Sequence, residues 1–180
     1  FHISAKSFYQ VNTKQTEVLY QKAIEFADLK ATDVVIDAYA GIGTIGLSIA
    51  DKVDHVYGME TISEAVDDAR DNAKLNAIDN ATYLVGRAEK VMPQWAKEDI
   101  APNVIFVDPP RKGLDQTFIQ AACDMKPEKI VYISCNPATM ARDLTHFTEL
   151  GYTTNTVQPV DLFPQTTHVE TVALMSRVDE

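Results

Sequence analysis

The residues best placed to do chemistry in this 180-residue chain are one cysteine, a few acids and a glycine turn. Cys135 follows the apolar run Ile130-Val131-Tyr132-Ile133 and precedes Asn136-Pro137, a capping side chain and a first-turn proline that mark a helix start. A thiolate beside a helix N-terminus is stabilised by the helix dipole and the free N–H groups, so the spacing predicts a lowered pKa and an activated nucleophile. The other cysteine, Cys123, reads as a small buried hydrophobe. Glu170, within His168-Val169-Glu170-Thr171, is a general base if it is desolvated near Cys135; by itself it reads equally as a solvated carboxylate on an edge strand.

Gly41, Gly43 and Gly46 form GxGxxG between an apolar run and a helical pattern, and Glu60 lies nineteen residues after Gly41, where an acid grips a ribose diol. This reads as well for a dinucleotide as for a nucleoside cofactor such as S-adenosylmethionine. Asp108-Pro109-Pro110 ends another apolar run, and its two prolines give a stiff backbone that can hold the Asp108 carboxylate against a planar base. The same residues also serve as a plain strand terminator. Arg111 and Lys112, next in the chain, are candidates for phosphate contacts or solvated surface.

Strands and helices alternate along the chain. Strands are expected at Val34–Ile36, His55–Met59, Ala81–Val85, Val104–Val107, Ile130–Ile133, Tyr152–Val160 and Val169–Met175. Helices fall between the first six, the first helix running from a Thr13 cap to about Asp28. The last two strands have no helix between them and are expected to be antiparallel neighbours, which gives an α/β fold with a Rossmann-like, mostly parallel sheet and a reversed final strand. Ligands of such sheets sit beyond the carboxyl ends of the parallel strands. Asp37, Glu60, Asp108 and Cys135 each follow one of those ends, and a reversed last strand begins with Glu170 on the same edge.

Sixteen Lys and Arg against 26 Asp and Glu give a net charge of −10, a poor match on its own to a phosphate backbone. No apolar stretch approaches the roughly 18 residues of a membrane span, so no membrane role is indicated. Two cysteines without a CxxC pair, and no histidine cluster at ligand spacing, indicate neither a disulfide framework nor a metal site and fit a cytoplasmic setting. Oligomeric state is not legible. The first residue is Phe rather than Met, and a piece of a longer protein is expected.

Taken together, Ser7-Phe8-Tyr9-Gln10-Val11-Asn12, Asp37-Ala38-Tyr39-Ala40-Gly41-Ile42-Gly43-Thr44, Asp108-Pro109-Pro110-Arg111-Lys112-Gly113, Ser134-Cys135-Asn136-Pro137 and His168-Val169-Glu170 resemble the S-adenosylmethionine-dependent RNA (uracil-5-)-methyltransferases, in particular the catalytic domain of the bacterial enzymes acting on 23S rRNA and tRNA. The resemblance implies the class I S-adenosylmethionine-dependent methyltransferase fold, with residues 1–180 as a single catalytic domain lacking an amino-terminal RNA-binding domain. It implies that Gln10, Tyr39, Glu60 and Asp108 hold S-adenosylmethionine over Gly41 and Gly43, with Thr44 assisting. Cys135 is then the nucleophile and Glu170 the base, and an RNA is the substrate, with 23S rRNA favoured over tRNA. Three other readings keep a test. A nicotinamide oxidoreductase uses the glycine turn and Glu60 but leaves Cys135 and Glu170 idle. An N-methyltransferase with a related Pro-Pro motif needs no cysteine, and a non-catalytic module binds without turnover.

Overall fold

The computed structural model of the chain describes residues 12–178. From the amino-terminal side the elements are α1 (Thr13–Ala27), β1 (Val34–Ala38), α2 (Thr44–Ile49), β2 (His55–Glu60), α3 (Ser63–Leu75), β3 (Ala81–Val85) and α4 (Ala88–Lys97). They continue with β4 (Val104–Val107), α5 (Gln116–Asp124), β5 (Lys129–Ser134), α6 (Pro137–Glu149), β6 (Tyr152–Val160) and β7 (Glu170–Arg177). The element types and order follow the hydropathy pattern. A 3-10 turn at Ala50–Lys52 does not, because three residues carry no period to read. The cap of α1 also differs from expectation. Asn12, not Thr13, is the capping residue, accepting the Gln15 N–H at 3.3 Å while its amide donates to the Leu162 carbonyl at 3.0 Å.

The seven strands form one sheet in the order β3-β2-β1-β4-β5-β7-β6. Strands β1 to β5 are parallel; β7 runs antiparallel to both β5 and β6. Because β1 pairs with β2 on one side and β4 on the other, the strand order reverses there, and the crevice at that switch point lies over the carboxyl ends of β1 and β4.

The central strands are apolar throughout because both sheet faces are covered. Val35, Phe106, Val131 and Ile133 pack on one face with Leu19, Ala23, Ile45 and Ile49 of α1 and α2. Their neighbours in the alternation, Ile36, Ile105, Val107 and Ile130, pack on the other with Met92, Trp95, Phe118 and Phe147 of α4, α5 and α6. Each such fully buried side chain contributes roughly 1.5–3 kcal/mol relative to exposure. This packing makes the strand ends a rigid platform for the loops that follow them. Among the described residues no helix is long and apolar enough to cross a membrane.

Candidate active site

The register of β5 and β7 brings the two proposed catalytic residues together. Ser134 pairs with Thr171 in an antiparallel ladder, so the residue that follows β5, Cys135, lies just past the end of the ladder, on the side where Glu170 begins β7. Both line a cavity of about 700 Å³ over the carboxyl ends of the parallel strands, and Asp37, Tyr39, Glu60 and Asp108 line it as well. Gly41 and Thr44 contribute to the same wall. Gly43 does not; it is buried beneath the turn and starts α2 from a left-handed backbone at φ 82°, which a side chain would strain. Gln10 lies outside the described residues.

Local structure fixes the acids. Glu60 closes the glycine turn: one carboxylate oxygen accepts the Gly41 N–H at 3.2 Å, and the other accepts the N–H of Ile62 at 3.0 Å and the hydroxyl of Thr61 at 2.8 Å. The nineteen-residue spacing seen in the sequence is thus a direct contact. Asp37 accepts the Gly46 N–H at 2.8 Å and so anchors the first turn of α2 to the end of β1. Tyr39 takes a left-handed backbone at φ 66°, uncommon for a residue with a side chain, and packs its ring 5.8 Å from that of Phe118.

Acids outnumber cations on the cavity wall, where Arg87, Arg111 and Lys112 face six carboxyl groups. Burial, with a further contribution from the Glu60 charge, pushes Asp37 up to about 7 despite its backbone hydrogen bond. Burial, then the charges of Glu170 and Asp37, push Asp108 up to about 8. Glu170, only 3% exposed, is raised by burial and held back by the Arg111 guanidinium. Cys135 departs from the sequence expectation, for its pKa is raised rather than lowered. Burial is the main cause and the Glu170 charge the next; Arg111, on the lining of the same cavity, opposes them. The residue precedes the Asn136 cap of α6, and its burial beside Glu170 and Asp108 opposes ionisation there. Arg111, a phosphate-contact candidate in the sequence, is the cation that favours ionisation of both Cys135 and Glu170. Linear sequence gives no signal for that pairing, since three separate segments meet there.

These shifts give a pH dependence. Folded Asp37 and Asp108 retain protons that an unfolded chain has released above about pH 4. Their contribution to stability is therefore fully present below pH 4 and lost as pH rises through about 7 and 8. Denaturant unfolding across pH 5–9 is expected to show ligand-free wild type losing stability on this account, with a shallower decline in Asp108→Asn; parallel curves would contradict the shift at Asp108.

The space over the turn suits a ligand. A Cβ on Gly41 would meet no atom within 4 Å, so the cavity stays open above its backbone. The carboxyl groups of Asp37, Glu60 and Asp108 suit hydroxyl donors and cationic groups, as a nucleoside with a positively charged tail presents.

The sequence matches the family model described as tRNA (Uracil-5-)-methyltransferase over residues 1–178. It is 62% identical over 177 residues to an uncharacterized RNA methyltransferase, YljE, of Lactococcus lactis subsp. lactis (strain IL1403), covering 98% of this chain and 38% of that protein. It is 62% identical over its full 180 residues to an uncharacterized RNA methyltransferase of Lactobacillus johnsonii, covering 40% of that protein. The chain thus spans about two fifths of these relatives' length. Among solved structures it is similar to the Pyrococcus abyssi tRNA (uracil-54, C5)-methyltransferase in complex with S-adenosyl-L-homocysteine, at 33% identity and a TM-score of 0.82, covering 96% of this chain and 41% of that one.

Proposed function

The chain belongs to the tRNA (uracil-5-)-methyltransferase family, and on that premise we propose that it transfers a methyl group from S-adenosylmethionine to carbon 5 of a uridine in RNA, through a covalent bond between Cys135 and carbon 6 of the uracil. The observation that carries this reading is the meeting of Cys135 and Glu170 in one cavity with Asp108 and the Glu60-braced glycine turn.

S-adenosylmethionine, when bound, supplies an electrophilic methyl group on a sulfonium. Glu60 would take the ribose hydroxyls, and Asp37, Tyr39 and Asp108 would line the rest of its site. Carbon 5 of uracil is a weak nucleophile. Addition of the Cys135 thiolate to carbon 6 moves the electron pair of the ring double bond onto carbon 5 as an enolate, which can accept the methyl group. Glu170 then removes the carbon 5 proton, the double bond re-forms, and the Cys135–carbon 6 bond breaks to return the thiolate. The raised pKa of Glu170 makes it a stronger base for that step than a solvated carboxylate. A target base reaches such a cavity by leaving its stack.

The chain is proposed to act in the cytoplasm as the catalytic domain of a longer protein, with an RNA-gripping domain outside these 180 residues; a net charge of −10 is then no obstacle. 23S rRNA is the proposed target. The alternative is tRNA, on which the Pyrococcus abyssi relative acts. Nucleoside mass spectrometry after incubation of the protein with each RNA separates them. Cofactor-dependent 5-methyluridine in 23S rRNA is the expected product; its appearance in tRNA alone would overturn the ribosomal assignment, and in neither RNA the reaction. Glu60→Ala is expected to weaken S-adenosylhomocysteine binding about 10- to 100-fold by calorimetry, as loss of a charged hydrogen-bonding group does, and unchanged affinity would contradict its role.

A further inference from the structure

The loop that carries Arg111 is fastened to α6 at successive residues. The Arg111 carbonyl accepts from the Asn136 amide at 3.2 Å and the Thr139 hydroxyl at 3.1 Å. The Lys112 carbonyl accepts from the Arg142 guanidinium at 2.9 Å, and the Leu114 N–H donates to Asp143 at 2.8 Å. Asp143 is fully buried and both its oxygens are engaged: one takes two donors of Arg142 at 2.9 and 2.7 Å, the other the Tyr132 hydroxyl at 2.7 Å. Gly113, at φ 77°, sits so close that a Cβ there would lie 2.5 Å from the Asp143 carboxylate and 2.7 Å from the Arg142 guanidinium.

None of Thr139, Arg142 and Asp143 lines the cavity that holds Cys135 and Glu170. The Arg142–Asp143 ion pair is also a poor source of net stability, because Asp143 bears the desolvation of burial while Arg142 is half exposed to water. What this pair supplies is one fixed path for the main chain between Arg111 and Leu114, set against the helix that starts just after Cys135.

We infer that Asp143 and Arg142 are positioning residues: by locking Lys112–Leu114 onto α6 they hold Arg111 in the cavity that it lines together with Cys135 and Glu170, and so govern how readily the thiol becomes the attacking nucleophile. Thr139 acts in the same way through the Arg111 carbonyl. The groups acting on the thiol are then Glu170 from β7 and Arg111 and Asp108 from the loop after β4, and only Arg111 favours the thiolate.

The inference rests on Cys135 as the nucleophile, but its test needs no RNA. Alkylation of Cys135 by iodoacetamide is followed against pH by peptide mass, in wild type, Asp143→Asn and Thr139→Val. The second cysteine reacts slowly, since burial pushes Cys123 up to about 12. Asp143→Asn is expected to slow alkylation at pH 7 by ~3- to 10-fold and move the profile midpoint up by ~0.5 to 1 pH unit, with S-adenosylhomocysteine affinity unchanged. Thr139→Val, a near-isosteric change, is expected to shift the profile in the same direction by less and carries the test if Asp143→Asn fails to fold. Profiles superimposable on wild type would overturn the positioning role. A shifted profile together with a failed wild-type methyl-transfer assay would leave positioning standing and overturn the functional reading instead.

Discussion

Cys135→Ala is expected to lose methyl transfer by on the order of 10⁶-fold, the scale on which removal of a covalent nucleophile acts, while binding S-adenosylhomocysteine with near wild-type affinity. The asymmetry follows from geometry. The thiol stands at the Glu170 end of the cavity, whereas the turn at Gly41 and Glu60 are built from β1 and β2, two and three strands away across the sheet. Removing a half-buried thiol, so that the side chain is cut back to a methyl group, leaves the β5–β7 ladder and the Asn136 cap of α6 intact. Without the thiolate, carbon 5 of uracil gains no charge and cannot accept the methyl group. Single-turnover kinetics with labelled S-adenosylmethionine, beside calorimetry, check both halves; turnover retained in the variant would favour an N-methyltransferase, which needs no cysteine.

Glu170→Gln is expected to stop the reaction after methyl transfer rather than before it. An amide cannot take the carbon 5 proton, so the thiolate cannot be expelled and a methylated protein–RNA complex accumulates. The same change removes the Glu170 charge that raises the Cys135 pKa, so addition should proceed at least as fast as in wild type. Few substitutions both speed a first step and block a last one, which makes the outcome diagnostic. Denaturing electrophoresis with an ordinary uridine-containing RNA reads it directly. Normal release of 5-methyluridine by this variant would remove Glu170 as the base.

Strand positions were readable where a run was rich in apolar and β-branched or aromatic residues between clear breakers, as at Ala81–Val85 and Val104–Val107. That legibility carried over to the site, because a parallel sheet delivers its strand ends to one edge and so groups Asp37, Glu60, Asp108 and Cys135 without any knowledge of contacts. The hydrogen bond from the Gly41 N–H to Glu60 was not read in the spacing, which suggested only an acid facing a ribose. The electrostatics of Cys135 were not readable. The sequence displays the helix start beside it, but the opposing burial and the charges of Glu170 and Asp108 come from segments far along the chain. The same holds for Asp143, which the sequence places on an ordinary helix and which proves to be buried among Tyr132, Arg142 and Leu114 through contacts no periodicity encodes.

The most direct test of the central claim is the intact mass of the protein after incubation with S-adenosylmethionine and an RNA carrying 5-fluorouridine, with Cys135→Ala alongside. Fluorine at carbon 5 cannot leave as a proton does, so a complex that has accepted the methyl group cannot resolve. A protein–RNA adduct with one added methyl group in wild type, and none in Cys135→Ala, is the predicted result. The same adduct in both proteins, or methylated RNA released by both without an adduct, would contradict the account.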